Sequence, residues 1–186
     1  TLGIFGFGAI GHRVAQIAET FGMQVLVCTP HEKPLDGLHS TRFADADTVL
    51  ANSDIITCHC PLTPDTQGMM NAAAFDKMKD GAIFINTSRG PVIDNDALAW
   101  ALETGEIRYA GLDTVEHEPL PENDPFKTLD NIIVNPHCGS YGVGSKKTQI
   151  SMVCELIPQA VAEGKLQGRC VADRAVLQKE VPYTII

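Results

Sequence analysis

A glycine pattern near the start of the chain constrains the fold more than any other feature. Gly6, Gly8 and Gly11 have the spacing G-x-G-x-x-G, and they follow the apolar run Leu2–Phe5 directly. A helical pattern follows them over residues 10–21. The spacing of apolar residues predicts that one face of this helix is buried, formed by Val14, Ile17, Ala18 and Phe21. The segment is therefore predicted to be a strand, a tight glycine turn and a helix.

Short apolar runs alternate with helical patterns along the rest of the chain. Strands are predicted at residues 2–5, 24–28, 41–44, 54–59, 82–86, 108–112 and 132–134. Further helices are predicted at residues 47–52, 72–78, 94–103 and 151–163, the last interrupted at Pro158. Such alternation is typical of repeated βαβ units. We therefore predict an α/β fold with a doubly wound, Rossmann-type parallel sheet of about seven strands and helices on both faces.

The glycine turn is predicted to bind the diphosphate of a dinucleotide. Gly6 permits a tight turn, Gly8 lets the backbone approach the anion, and Gly11 lets helix and strand pack closely. The first amides of the helix, including those of Ala9 and Ile10, have N–H groups free to bind the anion. A glycine turn without a ligand is the competing interpretation.

The end of the second predicted strand leaves the choice between NAD and NADP open. The dinucleotide fingerprint expects an acidic residue there to bind the ribose hydroxyls, but this position is Thr29. His31 or Lys33 could contact a 2′-phosphate, whereas Glu32 favours NAD. No arginine stands nearby to bind a phosphate through two hydrogen bonds. We therefore predict NAD, with NADP not excluded.

Charge and hydropathy exclude several other classes of function. The formal net charge is −9, which disfavours binding to nucleic acid or to anionic lipid. No apolar run approaches the length of about 20 residues that spans a bilayer. The six cysteines lie mostly in apolar runs without the spacing of a metal site. They indicate small buried residues in a reducing cytoplasm, and no metal is expected.

From Asp54 onward, five stretches form a specific pattern by their order and spacing: Cys60-Pro61-Leu62-Thr63-Pro64, Ala82-Ile83-Phe84-Ile85-Asn86-Thr87-Ser88-Arg89-Gly90, Gly111-Leu112-Asp113, Glu118-Pro119-Leu120-Pro121 and Asn135-Pro136-His137. With these stretches the chain resembles the D-2-hydroxyacid dehydrogenase family. The resemblance reaches about Gly168 and implies the coenzyme domain of that family. The run from His137 to Tyr141 is most similar to the phosphoglycerate and glycerate dehydrogenase branch.

Three residues at predicted strand ends are the candidate catalytic groups. Arg89 follows the fifth strand, and its guanidinium can bind a carboxylate through two hydrogen bonds. His137 follows the seventh strand and could exchange a proton with a carbonyl oxygen. Glu118 would bind the other imidazole nitrogen, which fixes the tautomer and favours the protonated ring. A solvated loop charge is the competing interpretation of both Arg89 and Glu118.

The resemblance also implies several cofactor contacts. Asp113, at the end of the sixth strand, would contact the nicotinamide carboxamide. Thr87 and the loop of Pro61 would line the nicotinamide ribose, and the resemblance extends the cofactor site to Thr66 and Gly139.

The chain is expected to form a dinucleotide-binding domain, residues 1–168, followed by a tail, residues 169–186. It begins inside a predicted buried strand, so we expect a fragment or an excised domain. The resemblance implies that the N-terminal substrate domain of the family is missing and that this domain forms a homodimer.

Two functions remain open at this stage, beside the weaker alternative of a structural Rossmann domain that has lost its cofactor. The first is an oxidoreductase that transfers a hydride between NAD(P)H and a small 2-keto acid, or the reverse reaction with a D-2-hydroxy acid. The second is a non-enzymatic, dinucleotide-regulated protein of the corepressor type, because corepressors in the family keep the same three catalytic residue types. In the first case the isolated chain is expected to bind cofactor with little turnover.

Overall fold

The computed structural model describes residues 1–163, 165–166 and 184–185. The strands are β1 (Leu2–Phe5), β2 (Val25–Cys28), β3 (Thr41–Phe43), β4 (Ile55–Cys58), β5 (Ala82–Asn86), β6 (Ile107–Leu112), β7 (Ile132–Val134), β8 (Lys165–Leu166) and β9 (Thr184–Ile185). The α-helices are α1 (Ala9–Thr20), α2 (Ala46–Asn52), α3 (Ala72–Asp76), α4 (Asn95–Thr104) and α5 (Val143–Glu163). Two 3₁₀ helices span Gly90–Val92 and Pro125–Thr128.

Seven strands form one parallel sheet in the order β3-β2-β1-β4-β5-β6-β7. The chain moves outward from β1 in one direction through β2 and β3, then returns to the other side of β1 at β4. This reversal beside β1 creates the crevice at which open α/β sheets bind ligands. The predicted doubly wound sheet of about seven strands is confirmed.

Both faces of the sheet are buried. Leu2 and Ile4 of β1 pack in one core with Ala15 and Ala18 of α1, whereas Phe5 packs in the other core. That second core also contains the buried side chains of α2, α3 and α4, namely Val49, Leu50, Ala74, Phe75, Leu98, Ala99, Ala101 and Leu102. Because successive residues of a strand point to opposite faces, this distribution places helices on both sides of the sheet, as predicted.

The predicted buried face of α1 is wrong in two residues. Ile17 and Phe21 are exposed, and the buried residues of the helix are Gly11, Ala15 and Ala18. A β-carbon at Gly11 would overlap the carbonyl oxygen of Gly6. Helix and strand are therefore so close that small residues form the contact, and periodicity of large apolar residues does not detect such a face.

The C-terminal part of the described chain differs from the prediction. Helix α5 begins at Val143, eight residues before the predicted start, and it continues through Pro158. The two short strands β8 and β9 pair in parallel and were not predicted. None of the described helices has the length and apolar character needed to cross a bilayer.

The chain divides into two compact units, Thr1–Cys138 and Gly139–Ile186. The first contains the seven-stranded sheet, and the second contains α5, β8 and β9. The predicted division at residue 168 stays a prediction, because most of the predicted tail lies outside the described residues.

Candidate functional site

The ends of six adjacent strands lie side by side at one edge of the sheet. The strand register pairs the last residues in the order Cys28, Phe5, Cys58, Asn86, Leu112 and Val134. Five strand spacings of about 4.8 Å give this row a length of about 24 Å. The residues that follow each strand therefore form one continuous edge, and the predicted site residues Thr29, Gly6, Thr87, Asp113 and His137 all lie within three residues of it.

The glycine turn has the geometry that close approach of an anion requires. Gly6 has φ +94°, and a β-carbon there would lie 2.7 Å from the amide nitrogen of Cys60. Gly8 is the N-cap of α1, and no side chain caps the helix at that residue. A β-carbon at Gly8 would meet nothing within 4 Å. Gly6 and Gly11 are thus needed for packing, whereas Gly8 borders open space beside the first amides of α1, those of Ala9 and Ile10.

A cleft of about 720 Å³ lies between the glycine turn, the end of β2 and the loop after β4. Its lining residues include Gly6, Gly8, Thr29, His31, Lys33, His59, Pro61, Asp65 and Thr66. The Thr66 hydroxyl donates to the carbonyl oxygen of Pro61 at 2.6 Å, and the Thr63 amide donates to the Thr66 oxygen at 2.8 Å. Thr66 therefore holds the loop that forms one wall of the cleft. This open space beside Gly8 and the free amides fit a dinucleotide.

His59 is a residue of this cleft that the sequence analysis missed. Its ring nitrogens Nε2 and Nδ1 lie 3.1 Å from Thr57 Oγ1 and 3.3 Å from Thr87 Oγ1, respectively. The ring is half-buried, and burial lowers the pKa of His59. A neutral imidazole can donate through one nitrogen and accept through the other, so His59 links β4 to the residue after β5. Its position directly after a strand end could have identified it.

Arg89 is exposed, and hydrogen bonds hold both its carbonyl oxygen and its guanidinium. The Asn86 side-chain amide donates to the Arg89 carbonyl oxygen at 2.9 Å, and the Arg89 guanidinium donates to the carbonyl oxygen of Ser88 at 2.7 Å. Among the described residues, no carboxylate lies within 4 Å of the guanidinium. The remaining guanidinium donors can therefore bind an external carboxylate.

Glu118 and His137 are brought together as the sequence predicts. Glu118 Oε2 lies 2.9 Å from His137 Nδ1, and Glu118 Oε1 accepts from the Val115 amide at 3.3 Å. The hydrogen bond from His137 is the main cause that lowers the pKa of Glu118. An ionised carboxylate can only accept, so Nδ1 carries a proton. Among the described residues, Nε2 of His137 has no hydrogen-bond partner, which leaves that nitrogen for a substrate.

The backbone at His137 is unusual for a residue with a side chain. His137 has φ +50°, a left-handed conformation that non-glycine residues rarely adopt. Next to it, the Cys138 amide donates to Asp113 Oδ1 at 3.0 Å. Asp113 is buried at the end of β6, so this hydrogen bond anchors the segment that holds the imidazole. Strained backbone of this kind is concentrated at functional sites.

The comparisons with known proteins agree with this geometry. Residues 1–139 match the family model described as D-isomer specific 2-hydroxyacid dehydrogenase, NAD binding domain. The chain belongs to this family. The predicted family membership and NAD as the cofactor of this domain are thereby confirmed.

The chain spans about half the length of the relatives it matches. It is 40% identical over 180 residues to a glyoxylate/hydroxypyruvate reductase B of Cronobacter sakazakii, covering 95% of this chain and 55% of the relative. A D-lactate dehydrogenase with NAD⁺ from Lactobacillus jensenii has a TM-score of 0.83 at 34% identity, covering 93% and 55% of the two chains. A glyoxylate reductase from Paecilomyes thermophila has a TM-score of 0.81 at 32% identity, covering 88% and 49%. The closer similarity to the phosphoglycerate and glycerate branch stays a prediction.

Gly139, the metal-ligating residue types and the cysteines complete the description of the site. Gly139 begins the second compact unit, and its predicted cofactor contact stays a prediction. In the part of the chain that the structure describes, no three His, Cys, Asp or Glu side chains are grouped as metal ligands. Cys58 and Cys60 are buried, and Cys28 and Cys138 are half-buried, each with a free thiol.

Proposed function

We propose that this chain is the coenzyme-binding part of an NAD-dependent D-2-hydroxyacid dehydrogenase or reductase. The reaction is a hydride transfer between the nicotinamide and the carbonyl carbon of a small 2-keto acid. The observation that carries the proposal is the contact of Glu118 with His137 at the sheet edge that also holds Arg89 and the glycine turn. The names of the reductase relatives make glyoxylate and hydroxypyruvate the first substrates to test.

Arg89 would bind the substrate carboxylate. Arg89 is exposed, and among the described residues no carboxylate lies within 4 Å of its guanidinium. It follows β5, whose last residue belongs to the row of strand ends described above. A planar guanidinium can hold a carboxylate through two hydrogen bonds and polarise the adjacent carbonyl.

His137 would act as the proton donor to the carbonyl oxygen through Nε2. Glu118 holds Nδ1 and fixes the ring, so the proton to be transferred can only reside on Nε2. The negative charge of Glu118 stabilises the imidazolium that reduction requires, and in the reverse direction the neutral ring accepts the proton of the hydroxyl group.

The cofactor would lie along the row of strand ends. The glycine turn and the first amides of α1 would hold its diphosphate, and Thr87 and Asp113 lie further along the same row, towards the catalytic pair. NADH, when bound, supplies the hydride.

We propose that a further substrate-binding segment, outside the dinucleotide-binding domain of residues 1–168, completes this site. The chain spans 55% of the reductase relative, and in such enzymes water must be excluded from the reacting groups. Glu118 and His137 remain 40% and 46% exposed. The isolated chain is therefore expected to bind NADH with little or no turnover.

A homodimer and a cytoplasmic location belong to the same proposal. Helix α5 has exposed apolar side chains at a helical spacing, Val143, Ile150, Val153 and Ile157. Such a face favours contact with a second copy of the chain. Ile150→Asp should give a monomer by analytical ultracentrifugation, and a wild-type monomer would contradict the dimer.

The experiment that tests the function uses the chain and the longer protein that contains it. NADH is titrated into the chain by calorimetry, and reduction of glyoxylate and hydroxypyruvate is assayed by loss of NADH absorbance. Binding to the chain and turnover by the longer protein are expected. Absence of NADH binding would overturn the proposal. NADH-dependent capture of a peptide partner by a longer protein without turnover would favour the corepressor alternative instead.

A further inference from the structure

One fully buried polar side chain is hydrogen-bonded to the backbone at Arg89. Asn86, the last residue of β5, is 0% exposed. Its side-chain oxygen Oδ1 accepts from the amide and the hydroxyl of Ser88 at 3.0 and 2.7 Å. Its nitrogen Nδ2 donates to the carbonyl oxygen of Arg89 at 2.9 Å and to Thr114 Oγ1 at 3.5 Å. Both ends of the buried amide are therefore hydrogen-bonded, as burial of a polar group requires.

These partners determine which residue type fits at this position. The Ser88 amide can only donate, and the Arg89 carbonyl oxygen can only accept. The side chain must therefore accept at one end and donate at the other, as asparagine does. An ionised aspartate would place an oxygen against the Arg89 carbonyl oxygen and would leave that oxygen without this donor.

The same side chain shapes the segment between β5 and the 3₁₀ helix Gly90–Val92. An asparagine that accepts from the amide two residues later folds the chain into a turn, and Asn86 does this with Ser88. At the other end of the segment, the Arg89 carbonyl oxygen also accepts from the Val92 amide at 3.2 Å. Two donors thus hold the backbone of Arg89, one from the end of β5 and one from the 3₁₀ helix.

Asn86 is itself fixed, whereas the Arg89 side chain is exposed. Asn86 pairs with Leu112 of β6, and its carbonyl oxygen accepts from the Asp113 amide at 2.9 Å. The Arg89 guanidinium donates to the carbonyl oxygen of Ser88 at 2.7 Å, an atom of the segment that Asn86 folds. A long side chain such as that of arginine has many rotamers in solution, so the place of the guanidinium depends on the backbone of this segment.

We propose that Asn86 is a positioning residue: its buried amide fixes the segment from which the Arg89 guanidinium reaches the substrate carboxylate. This inference rests on the proposed role of Arg89 as the carboxylate ligand. Because Asn86 is buried, it acts through Arg89 and not by contact with the substrate. A shift of about 1 Å in a positioned group can cost about a hundredfold in rate. Loss of the Asn86 donor should therefore impair reduction of a keto acid more than binding of the cofactor.

Asn131→Asp is the matched control for Asn86→Asp. The Asn131 side-chain amide donates to the carbonyl oxygens of Leu102 and Arg108 at 3.1 and 3.3 Å, directly before β7 at the opposite edge of the sheet. Both variants replace an amide that donates to backbone carbonyl groups, but only Asn86→Asp changes the segment of Arg89. Asn86→Ala is a second variant, because it removes the donor without adding a charge.

The first measurement needs no turnover. Nitrogen-15 relaxation of the isolated chain gives the backbone order parameter of Arg89, which should be about 0.85 in wild type. It should fall below about 0.6 in both Asn86 variants and stay unchanged in Asn131→Asp. An Arg89 amide that is mobile in wild type, or rigid in both Asn86 variants, would overturn the proposal.

The second measurement uses the longer protein that contains the chain, with glyoxylate and NADH. Both Asn86 variants should raise KM for glyoxylate about tenfold to a hundredfold, with a smaller loss of kcat and with NADH affinity within about threefold of wild type. In an Arg89→Ala background, Asn86→Ala should change kcat/KM by less than about twofold, because the residue that it positions is absent. Asn131→Asp should retain the wild-type KM.

The kinetic results separate positioning from a purely structural role. Equal losses of NADH affinity and glyoxylate reduction, or additive effects with Arg89→Ala, would show that Asn86 only stabilises the fold and would overturn the proposal. Loss of NADH binding in both Asn86 variants would do the same. If the wild-type longer protein binds NADH but reduces no 2-keto acid, the proposed function fails, whereas the order parameter still decides whether Asn86 holds Arg89.

Discussion

Gly90 lies against the backbone of Val115 without space for a β-carbon between them. A β-carbon at Gly90 would overlap the carbonyl group of Val115 and the next amide nitrogen. Gly90 follows Arg89, and the Val115 amide donates to Glu118 Oε1. One close backbone contact therefore connects the segment that carries the candidate carboxylate ligand to the segment that carries the partner of His137.

Gly90→Ala should destabilise the fold. The overlap is with backbone atoms, which cannot rotate away as a side chain can, and overpacking of this kind costs about 1–3 kcal/mol. Urea denaturation measures the loss. Gly111→Ala is the matched control, because Gly111 lies in β6 and its β-carbon would meet nothing within 4 Å. Equal stability of the two variants would contradict the tight contact.

The glycines of the turn should respond differently to the same substitution. Gly11→Ala should destabilise by about 1–3 kcal/mol, because its β-carbon overlaps the Gly6 carbonyl oxygen. Gly8→Ala should leave stability nearly unchanged, since the new methyl group enters open space and φ is −81°. However, it should weaken NADH binding about tenfold to a hundredfold, as expected for 1–3 kcal/mol of overlap with a bound diphosphate. Unchanged NADH affinity of Gly8→Ala would contradict binding of the diphosphate at this turn.

The parts of the fold that the sequence predicts are those determined by local patterns. The bounds of β1, β5 and β7 agree with prediction to the residue, because each is a short apolar run with clear breakers at its ends. The buried face of α1 was wrong because Gly11, Ala15 and Ala18 form it. Their small size matters only when the distance between helix and sheet is known.

The candidate site, too, could be predicted only where local sequence patterns determine it. Glu118 and His137 could be paired in advance because each belongs to a family motif, and the structure places Nδ1 2.9 Å from the carboxylate. The contact of Gly90 with Val115 joins residues 25 positions apart in the chain, and no local sequence pattern predicts it. His59 could have been found from its place after β4, but its link to Thr87 depends on the pairing of β4 with β5.

Substitutions at the catalytic pair should reduce turnover of the longer protein and leave NADH affinity unchanged. His137→Ala removes the proton donor and should lower kcat by about 10²–10⁴. Glu118→Gln keeps an acceptor for Nδ1–H but removes the charge, so about a tenfold to hundredfold loss is expected. Glu116→Gln, in the same acidic loop, should retain the wild-type rate. If Glu116→Gln and Glu118→Gln behave alike, Glu118 is only a loop charge.

His59 should influence cofactor binding through Thr87. His59→Gln and Thr87→Val are each expected to weaken NADH binding by about threefold to tenfold, the value of one hydrogen bond. The double variant should be no weaker than the worse single variant, because both remove the same link. Additive effects of the two substitutions on NADH binding would show that His59 and Thr87 act independently. Nitrogen NMR of the imidazole provides a second measurement, since burial lowers the pKa of His59 and the neutral ring should persist below the usual titration range.

The pair of Glu118 and His137 should also make stability depend on acid pH. The hydrogen bond from His137 lowers the pKa of Glu118 in the folded protein below its ordinary value of 4.5. The stability that ionised Glu118 contributes to the folded protein is therefore present above pH 4.5. It is lost as the pH falls through the lower pKa of Glu118 in the folded state. Both side chains are more than a third exposed, so solvent screening limits the contribution to less than about 1 kcal/mol. Urea denaturation should show wild type more stable than Glu118→Gln at pH 6, with the difference vanishing in acid and shrinking in a His137→Gln background. A difference that persists unchanged at low pH would show that the carboxylate charge does not stabilise the fold.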